Sequence, residues 1–584
     1  MALLYSSSMI RQSIGKRAIA RAWKIRAALF SCNVLAQLAF AAAPDPLFTE
    51  HGMVVSASAD ASDAGVDMLK RGGNAIDAAA ATAFALAVTH PQAGNIGGGG
   101  FLLAVLADGQ TLALDFRETA PHAAHRDMFI SQNGEVISKL SLHSPLASGV
   151  PGSVDGLLRS LDDYGSGAVS RRTILAPAIR LAKRGFPISR GLADELNGRR
   201  EFFARDPGAA EIFVRADGRP WREGDVLRQR DLARTLGRIV RSGTDGFYLG
   251  RTATLLAEQM RRTNGLISEQ DLVEYRSVYR DPIRGEFNRF EIVSMPPPSS
   301  GGLLLVHMLN MISQFSPDQL RWNSSAYVHI LTEIQRRAYA DRAEHLGDPD
   351  FWNVPSAMLI SADYAAVRAA DIDPGKATPS SEVSAGAAPD RENTETTHFS
   401  VADRYGNAVA VTTTLNASFG PGIVVQGAGF FLNNEMDDFS AKPGAPNLYG
   451  LVGNEANAIA AGKRMLSSMT PTIVLRDAKP YLVVGSPGGA TIITTVLQVV
   501  LNVTAHGMNI MEAVAAPRHH SQWLPDNIMY EPRGLAPDVL DALSAMGHAT
   551  EEASSIGQAN CLMITGQGYF GAPDPRGDNA ASGY

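Results

Sequence analysis

The sequence predicts an α/β protein, α+β in its pairing, whose strands run antiparallel. Three observations carry this. Strand-like and helix-like stretches are mixed in both halves of the chain. Residues 396–415 carry a hairpin pattern, two strand-like runs flanking the turn Arg404-Tyr405-Gly406-Asn407. Of the 584 residues, 45% are hydrophobic, which suffices for a large buried core and argues against disorder. No internal repeat or low-complexity domain is present.

The chain begins with a basic stretch containing Arg11, Lys16, Arg17, Arg21, Lys24 and Arg26. Residues 27–40 are mostly apolar, and Ala39-Phe40-Ala41 offers small residues at cleavage positions. Residues 1–41 therefore read as a secretory signal peptide, outside the fold. The apolar stretch is short for a membrane span and contains Asn33 and Gln37, which disfavours an uncleaved anchor. Export predicts a periplasmic or secreted protein. Of the two cysteines, Cys32 leaves with the signal, so Cys561 has no disulfide partner in the chain and reads as a small core residue.

Residues 53–59 predict a strand and 61–71 a helix stopped by Gly72-Gly73. Asn74 is placed to cap an alanine-rich helix over 75–89. Gly97 to Gly100 precede a strand at 101–106; a phosphate-binding loop would need a helix there, so the glycines are read as allowing close backbone packing. Residues 173–271 read as mainly helical and 285–295 as strand. The breaker-rich run at 296–302 leads into a helix, and 324–346 form another, containing Tyr339-Ala340-Asp341-Arg342. A further helix is expected at 491–503. The net charge of -7, with no long basic run, argues against nucleic acid as a partner.

The junction Glu395-Thr396 carries the chemistry. Residues 371–395 are polar and poor in hydrophobics, as in a surface linker. The hairpin starts directly after them. Thr396 has two readings. It is a strand-forming threonine, or it becomes a new N-terminus after self-cleavage. In the second case its hydroxyl is a nucleophile and its own α-amine the activating base. Competing schemes lack support: the chain contains no Gly-x-Ser-x-Gly elbow, no His-Glu-x-x-His and no paired Cys-x-x-Cys. Nothing implies a cofactor or a metal.

Downstream of Thr396 come Asn416, Asn433-Asn-Glu-Met-Asp-Asp-Phe-Ser440, Leu466-Ser-Ser-Met-Thr-Pro471 and Gly485-Ser-Pro-Gly-Gly489; upstream lies Asp115-Phe-Arg-Glu118. In this order, over residues 52–584, the chain resembles the γ-glutamyltransferase (γ-glutamyltranspeptidase) family, especially its secreted bacterial members, within the N-terminal nucleophile hydrolases. The resemblance implies a four-layer αββα sandwich. It also implies a precursor split into a large subunit, 42–395, and a small subunit, 396–584, which intertwine. The implied donors are γ-glutamyl amides such as glutathione; the acceptors are water, amino acids or dipeptides.

By the same resemblance Thr414 orients the Thr396 hydroxyl, and Gly488 and Gly489 form the oxyanion hole. Arg117, Ser467 and Ser468 hold the donor's α-carboxylate. Asn416, Glu435 and Asp438 hold its α-ammonium, with Glu435 where many bacterial members have glutamine. Tyr449 lies in a loop resembling the family's lid. Two alternatives stand beside this reading: a cephalosporin or glutaryl acylase of the same superfamily, and a processed but inactive γ-glutamyl-peptide-binding protein.

Overall fold

Two seven-stranded sheets dominate the computed structural model, which describes residues 44–384, 396–448 and 450–584. The signal sequence 1–41, Glu395 and Tyr449 lie outside the described residues. Residues 46–584 form one unit. In the first sheet the strands run in the order Ala580–Gly583, Gly52–Ser56, Thr397–Asp403, Ala408–Thr414, Gly99–Val105, Thr111–Asp115, Val278–Arg280. The second runs Leu47–Thr49, Gly568–Ala572, Cys561–Thr565, Lys479–Val484, Thr472–Arg476, Phe290–Ser294, Ile283–Phe287. Neighbours in both sheets pair antiparallel.

The sheets pack face to face through their central strands: Thr397–Asp403 meets Cys561–Thr565, and Ala408–Thr414 meets Lys479–Val484. Helices Ala59–Lys70 and Ala75–Thr89 cover the outer face of the first sheet. Helices Gly301–Ile312, Thr491–Thr504 and Ile510–Ala515 cover that of the second. The result is the αββα sandwich. Among the described residues, no helix is long and apolar enough to cross a membrane.

Layering on both faces buries the Thr397–Asp403 strand along its whole length. Phe399 and Val401 pack into the apolar cluster under the alanine-rich helix. Between the sheets, His398 Nδ1 lies 2.9 Å from Thr412 Oγ1, and Ser400 Oγ donates to the Asn560 carbonyl at 2.8 Å. Burial pushes His398 down to about 3, so it is a neutral core imidazole. Burial likewise pushes the Cys561 thiol up to about 12, which fits an inert core cysteine.

Asn74 caps the Ala75–Thr89 helix in a full capping box with Asp77. The glycine run allows the expected close approach. A Cβ at Gly98 would lie 2.1 Å from the Thr414 carbonyl, and one at Gly100 2.3 Å from that of Thr412. The 285–295 stretch corrects the sequence reading. It is a hairpin, Ile283–Phe287 with Phe290–Ser294, turned by Asn288 at φ 55°. The 173–271 region is mainly helical, with one two-residue strand pair, Phe186–Pro187 with Val226–Leu227.

Asp403 ties the hairpin to the helical layer. Its Oδ1 accepts from the Tyr405 and Asn407 amides at 2.8 and 3.0 Å. Its Oδ2 accepts from Asn407 Nδ2 and from the Ala75 amide, both at 2.7 Å. Hydrogen bonds to a charged group are worth about 1.5–3 kcal/mol each and are not additive. Asp403→Ala is therefore expected to cost at least about 2 kcal/mol and to slow maturation of the precursor. Differential scanning calorimetry with electrophoresis checks both; an unchanged melting temperature would show that the turn holds itself.

Candidate active site

Thr396 directly precedes the buried Thr397–Asp403 strand and is itself 5% exposed. Thr397 pairs with Thr413, so the register carried one residue further sets Thr396 against Thr414. Thr414 is fixed by its neighbours. Its Oγ1 accepts the Asn416 amide at 2.8 Å, and its carbonyl accepts Asn95 Nδ2 at 2.8 Å. Asn95 also bonds Thr413 Oγ1, the Gly98 amide and Ser153 Oγ. Asn95 thus holds the end of this strand, a role the sequence reading missed.

Thr396 lines both a wide cleft and a small inner cavity. The inner cavity gathers most of the expected set: Arg117, Thr414, Asn416, Asp438, Ser467, Ser468 and Gly489. Gly488 lines the cleft. Gly488 and Gly489 take φ values of 133° and 54°, backbone that favours glycine. Their carbonyls accept from Thr491 and Ile492 at the start of the Thr491–Thr504 helix. Among the described residues, nothing accepts from either glycine's N–H; Gly489 shares the inner cavity with Thr396, and Gly488 the cleft.

Arg117 is fully buried and surrounded by acids. Its Nη2 donates to Asp438 Oδ2. Its Nη1 stands 2.6 Å from Glu435 Oε2, an ion contact without hydrogen-bond alignment, and 3.6 Å from Glu118. Nε donates to the Met465 carbonyl at 3.3 Å. The expected carboxylate-binding residue therefore holds two expected ammonium-binding acids. Burial opposes the Arg117 charge, but these carboxyls outweigh it and stabilise the cation. Burial pushes Glu118 up to about 8 against the pull of Arg117. Burial also raises Glu435 and Asp438, with Arg117 again pulling the other way.

The acids sit on a 3₁₀ turn, Glu435–Asp438, rather than on extended chain. Asn433 anchors the turn by donating to the Gly97 and Gly149 carbonyls at 2.9 and 2.8 Å. Asp437 faces elsewhere, accepting Ser141 Oγ at 2.5 Å and the Leu448 amide at 2.7 Å. Asn447, in the loop resembling a lid, donates to Asp438 Oδ1 at 2.9 Å and so ties that loop to the pocket.

Arg342 is a second arginine in the cavity that the sequence reading missed. His329, Glu333 and His548 bring possible metal-ligand atoms within 4.8 Å of one another. They are already engaged. Glu333 bonds Arg336, Arg337 and the Thr378 amide, and His329 bonds His548 at 2.7 Å and the Asp373 carbonyl at 2.8 Å. Two arginines on the one carboxylate make this a structural ion cluster.

Known proteins resemble this chain in sequence and in fold. A sequence model described as Gamma-glutamyltranspeptidase matches residues 61–584. The glutathione hydrolase proenzyme of Escherichia coli (strain K12) is 48% identical over 92% of this chain and 93% of its own length. A solved cephalosporin acylase from Bacillus halodurans superposes with a TM-score of 0.82 at 26% identity, covering 94% of this chain and 98% of that one. The Helicobacter pylori γ-glutamyltranspeptidase matches with a TM-score of 0.56 at 42% identity, over 57% of this chain and 96% of that chain. With a matching family model over nearly the whole chain and a close relative at nearly half identity, this protein is an enzyme of the γ-glutamyltranspeptidase family.

Proposed function

We propose that the chain is a proenzyme that cuts itself between Glu395 and Thr396 and then acts as a γ-glutamyl hydrolase and transpeptidase on glutathione and related amides. The observation that carries this is the position of Thr396. It heads a central buried strand, borders both the cleft and the ion-lined cavity, and stands beside the unclaimed N–H groups of Gly488 and Gly489. In the precursor the Thr396 hydroxyl attacks the Glu395 carbonyl, and water opens the resulting ester. In the mature enzyme it attacks the donor's γ-carbonyl, and the leaving amine departs with a proton. The base is the freed α-amine, with an ordinary pKa of about 7.7–8.0. Water, an amino acid or a dipeptide then takes the γ-glutamyl group.

Pocket electrostatics favour a zwitterionic donor head over a glutaryl one. Before substrate arrives, Arg117 and its acids neutralise each other. A γ-glutamyl head brings one anion for the Arg117 fork and one cation for Glu435, Asp438 and Asn416, so net charge is conserved. A glutaryl head brings the anion alone and leaves buried carboxylates without their counter-ion, a costly state. This argues against the acylase alternative, and the assembled nucleophile argues against an inactive binding protein. We also propose that residues 1–41 direct export, so that the mature enzyme works in the periplasm or outside the cell.

N-terminal sequencing of the purified enzyme should find two chains, the larger beginning near Ala42 and the smaller Thr-Thr-His-Phe. Thr396→Ala should stay uncut and inactive. Full activity in a single uncut chain would refute the mechanism.

Asp438→Asn removes one counter-charge of the ammonium, and a lost charge-assisted bond of about 1.5–3 kcal/mol means more than about tenfold in kcat/KM for γ-glutamyl donors. Glutaryl donors should lose little or gain. Equal losses on both would show that Asp438 does not read the ammonium.

Glu118 gives a pH signature. Its folded pKa is raised, so its contribution to stability is complete below the ordinary value near 4.5 and is lost as pH rises through about 8. Glu118→Gln imitates the protonated acid. Its melting temperature should fall less steeply than the wild type's between pH 5 and pH 8, in about the window those values set. Parallel curves would mean that Glu118 is ionised throughout.

A further inference from the structure

We propose that Arg342 is the second cation of the acyl pocket and, together with Ser468, receives the α-carboxylate of the donor. The assignment rests on the γ-glutamyl reading and adds to it a residue that determines specificity.

Six arginines are buried among the described residues: Arg117, Arg336, Arg337, Arg342, Arg464 and Arg518. Five pair with carboxylates: Arg117 with Glu435, Arg336 and Arg337 with Glu333, Arg464 with Asp115, and Arg518 with Asp574. Arg342 does not. Its Nε donates to Ser300 Oγ at 3.0 Å and its Nη2 to Ser468 Oγ at 3.4 Å; both partners are neutral hydroxyls. Asp438 attracts it from a distance but is bonded to Arg117. Burial lowers Arg342 to about 10, so it stays charged at neutral pH. A buried charge without a counter-ion is expensive, and its cost falls when an anion arrives.

The position specifies which anion. Arg342 lines the same inner cavity as Thr396, so a ligand neutralising it shares that cavity with the nucleophile. The Arg117 guanidinium already faces Glu435 and Asp438 there, so it meets the donor's carboxylate only in exchange for its own acids. Arg342 brings the charge that cluster lacks. It also sets the direction of Ser468. Because the serine oxygen accepts from Arg342, its own proton remains to donate into the cavity, where a carboxylate oxygen can take it. The rigid Ser325–His345 helix holds Arg342 in place. One turn earlier on that helix, the Tyr339 hydroxyl donates to the Ala490 carbonyl beside the oxyanion glycines.

Three p-nitroanilide donors separate the charges. The γ-glutamyl donor carries both head groups, the glutaryl donor only the carboxylate, and the 4-aminobutyryl donor only the ammonium. With Arg342→Gln, KM for the γ-glutamyl and glutaryl donors should rise at least about tenfold, while kcat/KM for the 4-aminobutyryl donor should change less than about twofold. Arg342→Lys keeps the charge and should fall between, with the same donor pattern. Should Arg342→Gln fail to mature into two chains, the lysine variant carries the comparison alone. Equal changes on all three donors, or none, would overturn the assignment while leaving the γ-glutamyl reading intact. A wild-type enzyme inert on the γ-glutamyl donor would overturn that reading and this assignment with it.

Discussion

Arg117 and the acids around it form the interaction on which the pocket depends. A buried guanidinium costs several kcal/mol unless countered, and Glu435 and Asp438 counter it in the absence of substrate. The same groups are complementary to an α-amino acid head, whose two charges can replace the two sides of the internal pair. On the proposed γ-glutamyl reading, specificity follows from this exchange. A ligand with only one of the charges strands its opposite in the core, where water cannot screen it. Glu118 stands 3.6 Å from the same guanidinium and completes the ring.

The fold explains how such a cluster can be assembled. Arg117 follows the Thr111–Asp115 strand, the acids sit on the 3₁₀ turn after the hairpin, and Ser467 and Ser468 precede the Thr472–Arg476 strand. These segments are far apart in the chain but converge where the two sheets meet. Antiparallel pairing brings Thr396 and Thr414 to one end of the hairpin, while Asp403 and the tight turn secure the other. Thr396 is thus at the open end of a strand whose remainder is locked in the core. That is the arrangement a residue needs if its own backbone amine is to be released and used.

Much of this was legible in the sequence, and the limits have physical causes. The Ala75–Thr89 helix and its Asn74 cap announce themselves locally, and so does the hairpin after the polar linker. The second hairpin was missed because Asn288-Arg289 lacks the glycine that usually marks a two-residue turn, although asparagine also tolerates positive φ. Arg342 was missed because its helix also carries Glu333, Arg336, Arg337, Asp341 and Glu344, and a charged residue on a helix ordinarily faces water. Here the helix is enclosed as far as Ala343, so Glu333, Arg336, Arg337, Asp341 and Arg342 are buried. The ring of acids around Arg117 has no local pattern at all; resemblance to a family supplied its members, but not the fact that they bind one another.

That mutual binding bears on how one scaffold serves different acyl groups. The cephalosporin acylase with this fold shares its layers across most of both chains despite modest identity. Layers and strand order therefore do not select the substrate. Selection falls to the few charges facing that cavity. In this chain, Arg117, Arg342 and Asp438 line a space that Thr396 also lines, and Glu435 and Glu118 stand against Arg117. Removing the acids would leave two cations for a carboxylate alone, as a glutaryl group presents. Keeping them demands an ammonium as well. On the proposed γ-glutamyl reading, a change of acyl preference is a change in the charge balance around this cavity, made without moving Thr396.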